Sequence, residues 1–143
     1  MTNKEIERAA TSVARQLLAA DGYDVSAGGR GYDLTATKGS DELHVEVKGA
    51  GAMVASLGGF RYLTSGEFDA ARRDPKWQLW VIENVGKPTG TMVTKIPRHE
   101  VLARLGIEIS WMLRWDRGVQ ELSQPVSAEI VAEAMGATGD NAR

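Results

Sequence analysis

The sequence predicts an α/β fold, a mixed β-sheet flanked by helices in a single domain. Three observations carry that prediction. Residues Tyr32–Lys38 and Glu42–Lys48 alternate around Gly39-Ser40, the pattern of a tight two-residue hairpin. Leu79-Trp80-Val81-Ile82 is a near-continuous apolar run, the mark of a strand buried on both faces. Capped segments with helical periodicity precede each of these. At 143 residues the chain suits one domain with one adequate core.

Taken in order, Asn3 is placed to cap a helix over Lys4–Ala20, striped by Ile6, Ala9 or Ala10, Val13 and Leu17. Gly22 ends it. The hairpin strands follow. Residues 49–59 hold four glycines and no charge, so they read as a mobile loop over whatever lies beside them. Thr64 caps a helix to about Arg73, with Glu67 at the capping-box position, and Asp74-Pro75 stops it. Gln78–Val85 is the buried strand, and Gly86-Lys87-Pro88-Thr89-Gly90 turns into a short strand, Thr91–Ile96. Pro97 opens a third helix to about Leu105. Ile107–Trp115 alternates as one strand. Ser127 caps a last helix to Met135, and Gly136–Arg143 reads as disordered.

The hairpin carries the chemistry. Centred on Gly39-Ser40, it sets Leu34 opposite Val45, Ala36 opposite Leu43 and, on the other face, Asp33 opposite Glu46. Directly opposed residues have Cβ atoms roughly 4.5–5.5 Å apart, so the two acids repel, and a fold gains nothing from that placement. Period two adds Lys48 to the Glu46 face. The usual use of such an acid pair is to hold a divalent cation. Read as plain structure, the same residues make a surface hairpin with an ion pair worth at most ~1 kcal/mol.

Asp33, a spacer of a dozen residues, then Glu46-Val47-Lys48 on an apolar strand resembles the PD-(D/E)XK nuclease motif. The order Glu7-Arg8-Ala9, Gly31-Tyr32-Asp33-Leu34, Val45-Glu46-Val47-Lys48-Gly49, Leu63-Thr64-x-x-Glu67 and Trp77-x-Leu79-Trp80-Val81-Ile82-x-Asn84 resembles the restriction-endonuclease-like domain at the C-terminus of NO VEIN-type proteins, over residues 3–86. The resemblance implies a restriction-endonuclease-like domain over residues 1–123, with 124–143 a C-terminal helix and disordered tail. It implies Mg²⁺, or Mn²⁺ in its place, on Asp33, Glu46 and the main-chain carbonyl of Val47, with Lys48 beside the attacked phosphate. By the same resemblance Asp33, Glu46 and Lys48 would form the catalytic set. It also offers Glu7 from the first helix as a further ligand, against the plainer reading of a solvated first-turn glutamate favoured by the helix dipole. The implied activity is phosphodiester hydrolysis, of DNA before RNA, in defence, restriction or repair. The implied assembly is a homodimer or a subunit of a larger defence system. A catalytically silent module binding nucleic acid or protein is the rival. Gln16 departs from the family, whose members commonly carry an acid there.

Other residues are weighed the same way. Thr64 and Glu67 are explained by capping alone. His44 lies on the Glu46 face and His99 in a helix, and both read as structural, with His44 the one to test. Trp77, Trp80, Trp111 and Trp115 could stack on bases, yet their apolar context makes them core. Net charge is −2, which argues against a basic nucleic-acid stripe. Arg61, Arg72, Arg73 and Lys76 nevertheless offer a separate phosphate-binding patch. Cysteine is absent, which excludes disulfides, thiolate metal sites and a cysteine nucleophile. No apolar run approaches a membrane span, and the N-terminus lacks secretory character, so the expected location is cytoplasmic.

Overall fold

A turn at Gly39-Ser40, with φ of 60° at Gly39, closes the hairpin in the predicted register: Leu34 pairs with Val45 and Ala36 with Leu43. The computed structural model describes residues 1–87, 89–107 and 111–141. The chain runs α1 (Asn3–Ala20), β1 (Asp24–Ala27), β2 (Leu34–Lys38), β3 (Asp41–Gly49), β4 (Phe60–Leu63), α2 (Ser65–Arg73) and β5 (Trp77–Glu83). It continues through β6 (Met92–Pro97), α3 (Arg98–Arg104), β7 (Leu105–Ile107), β8 (Trp111–Arg114), α4 (Arg117–Gln120), β9 (Ser123–Pro125) and α5 (Ala128–Asn141).

The main sheet has the order β1-β2-β3-β5-β6-β9. Only β3 and β5 run parallel within it; every other neighbouring pair is antiparallel. A second, antiparallel sheet has the order β4-β8-β7. The fold is thus α/β with a mixed sheet, as predicted. The apolar run of β5 feeds two cores, because successive side chains point to opposite faces. Trp80 and Ile82 join Val45 and Val47 of β3 under α1 and α5. Trp77, Leu79 and Val81 join Ala71 of α2 and Val101 of α3 on the other side. Since Val45 and Val47 point toward α1, Glu46 and Lys48 project toward α2.

Helix α1 seats closely on the end of β3. A Cβ built on Gly49 would lie 2.9 Å from Ala10 Cβ and 2.9 Å from Ile6 Cγ2, a spacing real side chains do not adopt. Only glycine permits this approach, and it carries Glu7 to the strand's end.

Several boundaries move. Thr2, not Asn3, caps α1, with Glu5 completing a capping box. Residues 49–59 are fastened, not mobile. The Ala50 amide donates to Ile82, the Val85 amide to Ala50, and Val54 is fully buried with its amide donating to Glu83 at 2.7 Å. The predicted strand over Ile107–Trp115 is instead two antiparallel strands, β7 and β8, with Leu105 opposite Leu113; residues 108–110 lie outside the described residues. Pro97 is the N-cap of α3 rather than its first residue. Helix α5 runs past Met135 to Asn141, and Ser12 Oγ of α1 donates to the Ala134 carbonyl at 3.3 Å. Strands β1, β4 and β9 and the turn of α4 were not foreseen. Among the described residues, no helix is long and apolar enough to cross a membrane.

Candidate functional site

Asp33 stands one residue before β2, outside the paired ladder that the sequence predicts for it: its amide donates to the Val45 carbonyl at 2.9 Å, one residue out of the Leu34–Val45 register, while its side chain still lies in the same cleft as Glu46. Its Oδ2 accepts from the Val47 amide at 2.8 Å, which turns the carboxylate across the strand. Glu46 is 4% exposed. Lys48 Nζ lies 3.7 Å from Glu46 Oε1 and 2.7 Å from Glu67 Oε1. These residues line one cleft of about 640 Å³, together with Val47, Glu7, Arg8, Thr11, Ser12, Arg15 and Gln16. Asp33, Glu46, Lys48 and Glu7 therefore line the same cleft.

Two neighbouring carboxyls in a sheltered place cannot both ionise cheaply. Burial, then the charge of Asp33, then that of Glu67, pushes the Glu46 carboxyl up to about 10, against the opposing pull of Lys48. Side-chain hydrogen bonding with Asp33 adds a smaller upward push. Burial acts to lower the Lys48 ammonium, but the bond to Glu67 and the charges of Glu67, Glu46 and Glu7 outweigh it and raise it overall. With Glu46 neutral, the ionic partner of Lys48 is Glu67. Burial raises Glu7 and Asp33 adds to it, while the Gly49 amide, donating at 3.3 Å, and Lys48 oppose.

A stability consequence follows from the raised Glu46. An acid whose pKa is higher folded than unfolded binds more protons in the native state, so its share of stability falls as pH climbs from about 4.5 toward about 10. In EDTA, Glu46→Gln is expected to flatten the loss of melting temperature between pH 5 and pH 8. At pH 8 it should melt higher by about 3–5 °C for each kcal/mol relieved. Identical pH profiles for the variant and wild type would contradict the raised carboxyl.

Glu67 has a second task that capping alone concealed. Its Oε1 accepts from the Thr64 amide at 3.0 Å, completing the capping box, and also from Lys48 Nζ. Sequence spacing shows only the first partner, because the second arrives across the fold. The cleft-facing row of α1 was missed as well, although Arg8, Ser12 and Arg15 follow helical spacing. Gln16 lines the cleft as well.

The four proposed phosphate contacts keep different company. Arg61 sits half-buried on β4, lowered by burial against the charges of Glu83 and Glu7, and its buried Nε has no partner among the described residues. Arg72 and Arg73 face Asp69 at 3.2 and 3.9 Å, and Lys76 faces Glu42 at 3.1 Å. His44 is a satisfied structural histidine, bonded to Asp74 and, at 2.8 Å, to Glu42, and stacked on Tyr32 with centroids 4.3 Å apart. Trp77, Trp80 and Trp115 are buried.

Residues 2–95 match the family model described as Protein NO VEIN, C-terminal. The chain belongs to the NO VEIN C-terminal family. Glu7, Asp33, Glu46, Lys48 and Glu67 all fall within the matched span, so the cleft belongs to the family portion of this NO VEIN C-terminal domain. No curated protein matches the chain. Among solved structures, Hjc from Archaeoglobus fulgidus, a Holliday junction resolvase, is similar, with a TM-score of 0.48 and 20% identity over 86% of this chain and 95% of that chain.

Proposed function

We propose that the domain is a divalent-metal-dependent nuclease that hydrolyses phosphodiester bonds, those of DNA before those of RNA. One observation carries the reading: a buried, charge-crowded acid, Glu46, shares a cleft with Asp33 and a lysine held in place by a third carboxylate, Glu67. The donor set fits a hard cation, since carboxylate and carbonyl oxygens select Mg²⁺ or Mn²⁺ and a cation offsets the burial and the neighbouring charges that otherwise raise Glu46. Among the described residues, no three His, Cys, Asp or Glu groups cluster tightly enough to form a cage alone. Asp33, Glu46 and the Val47 carbonyl would hold the ion, leaving positions for water and substrate, with Glu7 at the margin. Bound there, the ion supplies Lewis acidity and a more acidic water.

The chain's own residues do the rest. Asp33 is oriented by the Val47 amide, which donates to its Oδ2. Glu67 holds the Lys48 ammonium charged and at a fixed place. Lys48 thereby offers a preorganised cation to charge that develops on the phosphate, or orients the attacking water. One domain carries one such cleft, so cutting both strands of a duplex calls for two copies; roles in defence, restriction or repair are consistent with that chemistry.

The test is a gel assay of supercoiled plasmid, single-stranded DNA and RNA with and without Mn²⁺. Metal-dependent nicking is the expected result. Binding without cleavage of any substrate would transfer the domain to the silent-module reading.

A further inference from the structure

The cleft extends past the carboxylates along one face of α1, and that face carries Arg8 and Arg15. Both are exposed, and neither makes an ion pair among the described residues, unlike Arg72, Arg73 and Lys76, whose charges are met by Asp69 and Glu42. Thr11, Ser12 and Gln16 fill the same face with hydroxyl and amide groups, and Ser12 is tied back to α5. Arg8 and Arg15 stand two turns apart, about 10 Å along the axis, roughly the rise of three nucleotides of one duplex strand. No apolar or aromatic side chain from α1 lines the cleft, so a base-stacking or peptide-binding role has no partner there.

We infer that the Arg8–Arg15 face of α1 is the track for the phosphates of one nucleic-acid strand, leading into the Asp33–Glu46–Lys48 end of the cleft. The inference rests on the nuclease reading for what happens at that end, but not for the binding itself. Arginine forks two N–H groups onto a phosphate and the Gln16 amide donates to a neighbouring oxygen, whereas the Thr11 and Ser12 hydroxyls already give their protons to the Glu7 and Ala134 carbonyls. The paired arginines of α2 would have to give up Asp69 first, which weakens their claim on substrate.

The experiment measures fluorescence anisotropy of a labelled oligonucleotide, as single strand, duplex and RNA of one sequence, with Ca²⁺ replacing Mg²⁺, across a salt series. Arg8→Gln with Arg15→Gln is compared with Arg72→Gln and Arg73→Gln. Losing two phosphate contacts should lower the salt slope by about 1.4 on a single strand and about 1.8 on a duplex, with affinity down at least tenfold at low salt. The α2 pair should change affinity less than about twofold, as exposed, internally paired charges do. The arm most weakened names the strand form that the track accepts. Unchanged affinity and slope in the α1 variant overturn the track, as do equal losses in both pairs, which would reduce it to overall charge. Charge reversal, Arg8→Glu with Arg15→Glu, should deepen the loss, and its failure to do so also counts against the track. Mn²⁺ calorimetry on the same proteins separates the two readings. Intact Mn²⁺ uptake with no α1 effect sinks the track alone, whereas an α1 effect without Mn²⁺ uptake in wild type upholds the track and removes the nuclease.

Discussion

Asp33→Asn is expected to lose Mn²⁺ binding and metal-dependent nicking together while the metal-free protein becomes more stable. The amide keeps an oxygen to accept from the Val47 amide, so the 2.8 Å bond and the strand end survive. What disappears is the negative charge that repels Glu46 and attracts a cation. Groups that merely support a ligand already cost 10–100-fold in metal affinity or activity when mutated, so loss of a ligand charge should exceed about 100-fold. Without the Asp33 charge beside it, the buried Glu46 carboxyl is less perturbed and costs the fold less, giving a higher melting temperature in EDTA. Opposite signs for stability and binding are the signature of a site whose strain serves function. Calorimetry with Mn²⁺, thermal melts in EDTA and the plasmid assay read all three quantities. A variant that binds Mn²⁺ as wild type does would end the metal-site proposal.

Lys48→Met should separate chemistry from binding. The side chain keeps its length and loses the ammonium held 2.7 Å from Glu67. Loss of one preorganised electrostatic partner costs about 10²–10³ in rate. Metal affinity should hold or tighten, since a cation beside the acids has been removed. Cleavage at the wild-type rate would sink the role given to Lys48, and loss of Mn²⁺ uptake would show that the lysine builds the site instead of acting in it.

What was legible in the sequence was local. Turn chemistry at Gly39-Ser40 and period two determine the hairpin register from Leu34–Val45 to Lys38–Asp41, and the shared face of Glu46 and Lys48 follows from it, whereas Asp33 lies just beyond the ladder. The capping box of α2 was equally plain. Strands β1, β4 and β9 were not, because they are three or four residues long and sit at edges or in the small sheet, where little apolar patterning is required. The alternation of Ile107–Trp115 read as one strand because period two carries no mark of a reversal. The glycines of 49–59 suggested mobility, whereas buried Glu83, which accepts from the Val54 amide and the Thr94 hydroxyl, fastens the segment from a distance that spacing does not encode. The tie between Lys48 and Glu67 escaped for the same reason.

That tie has a consequence for descent. Glu7, Asp33, Glu46 and Glu67 share one cleft, and Lys48 is the cation that reaches Glu46 and Glu67 within it. A lineage that abandoned the chemistry and let Lys48 drift would leave the acids facing one another, and one that lost Glu67 would weaken both the lysine's hold and the start of a helix. Relatives should therefore retain the lysine and its acids together or shed them together, and sequences with half the set should be rare.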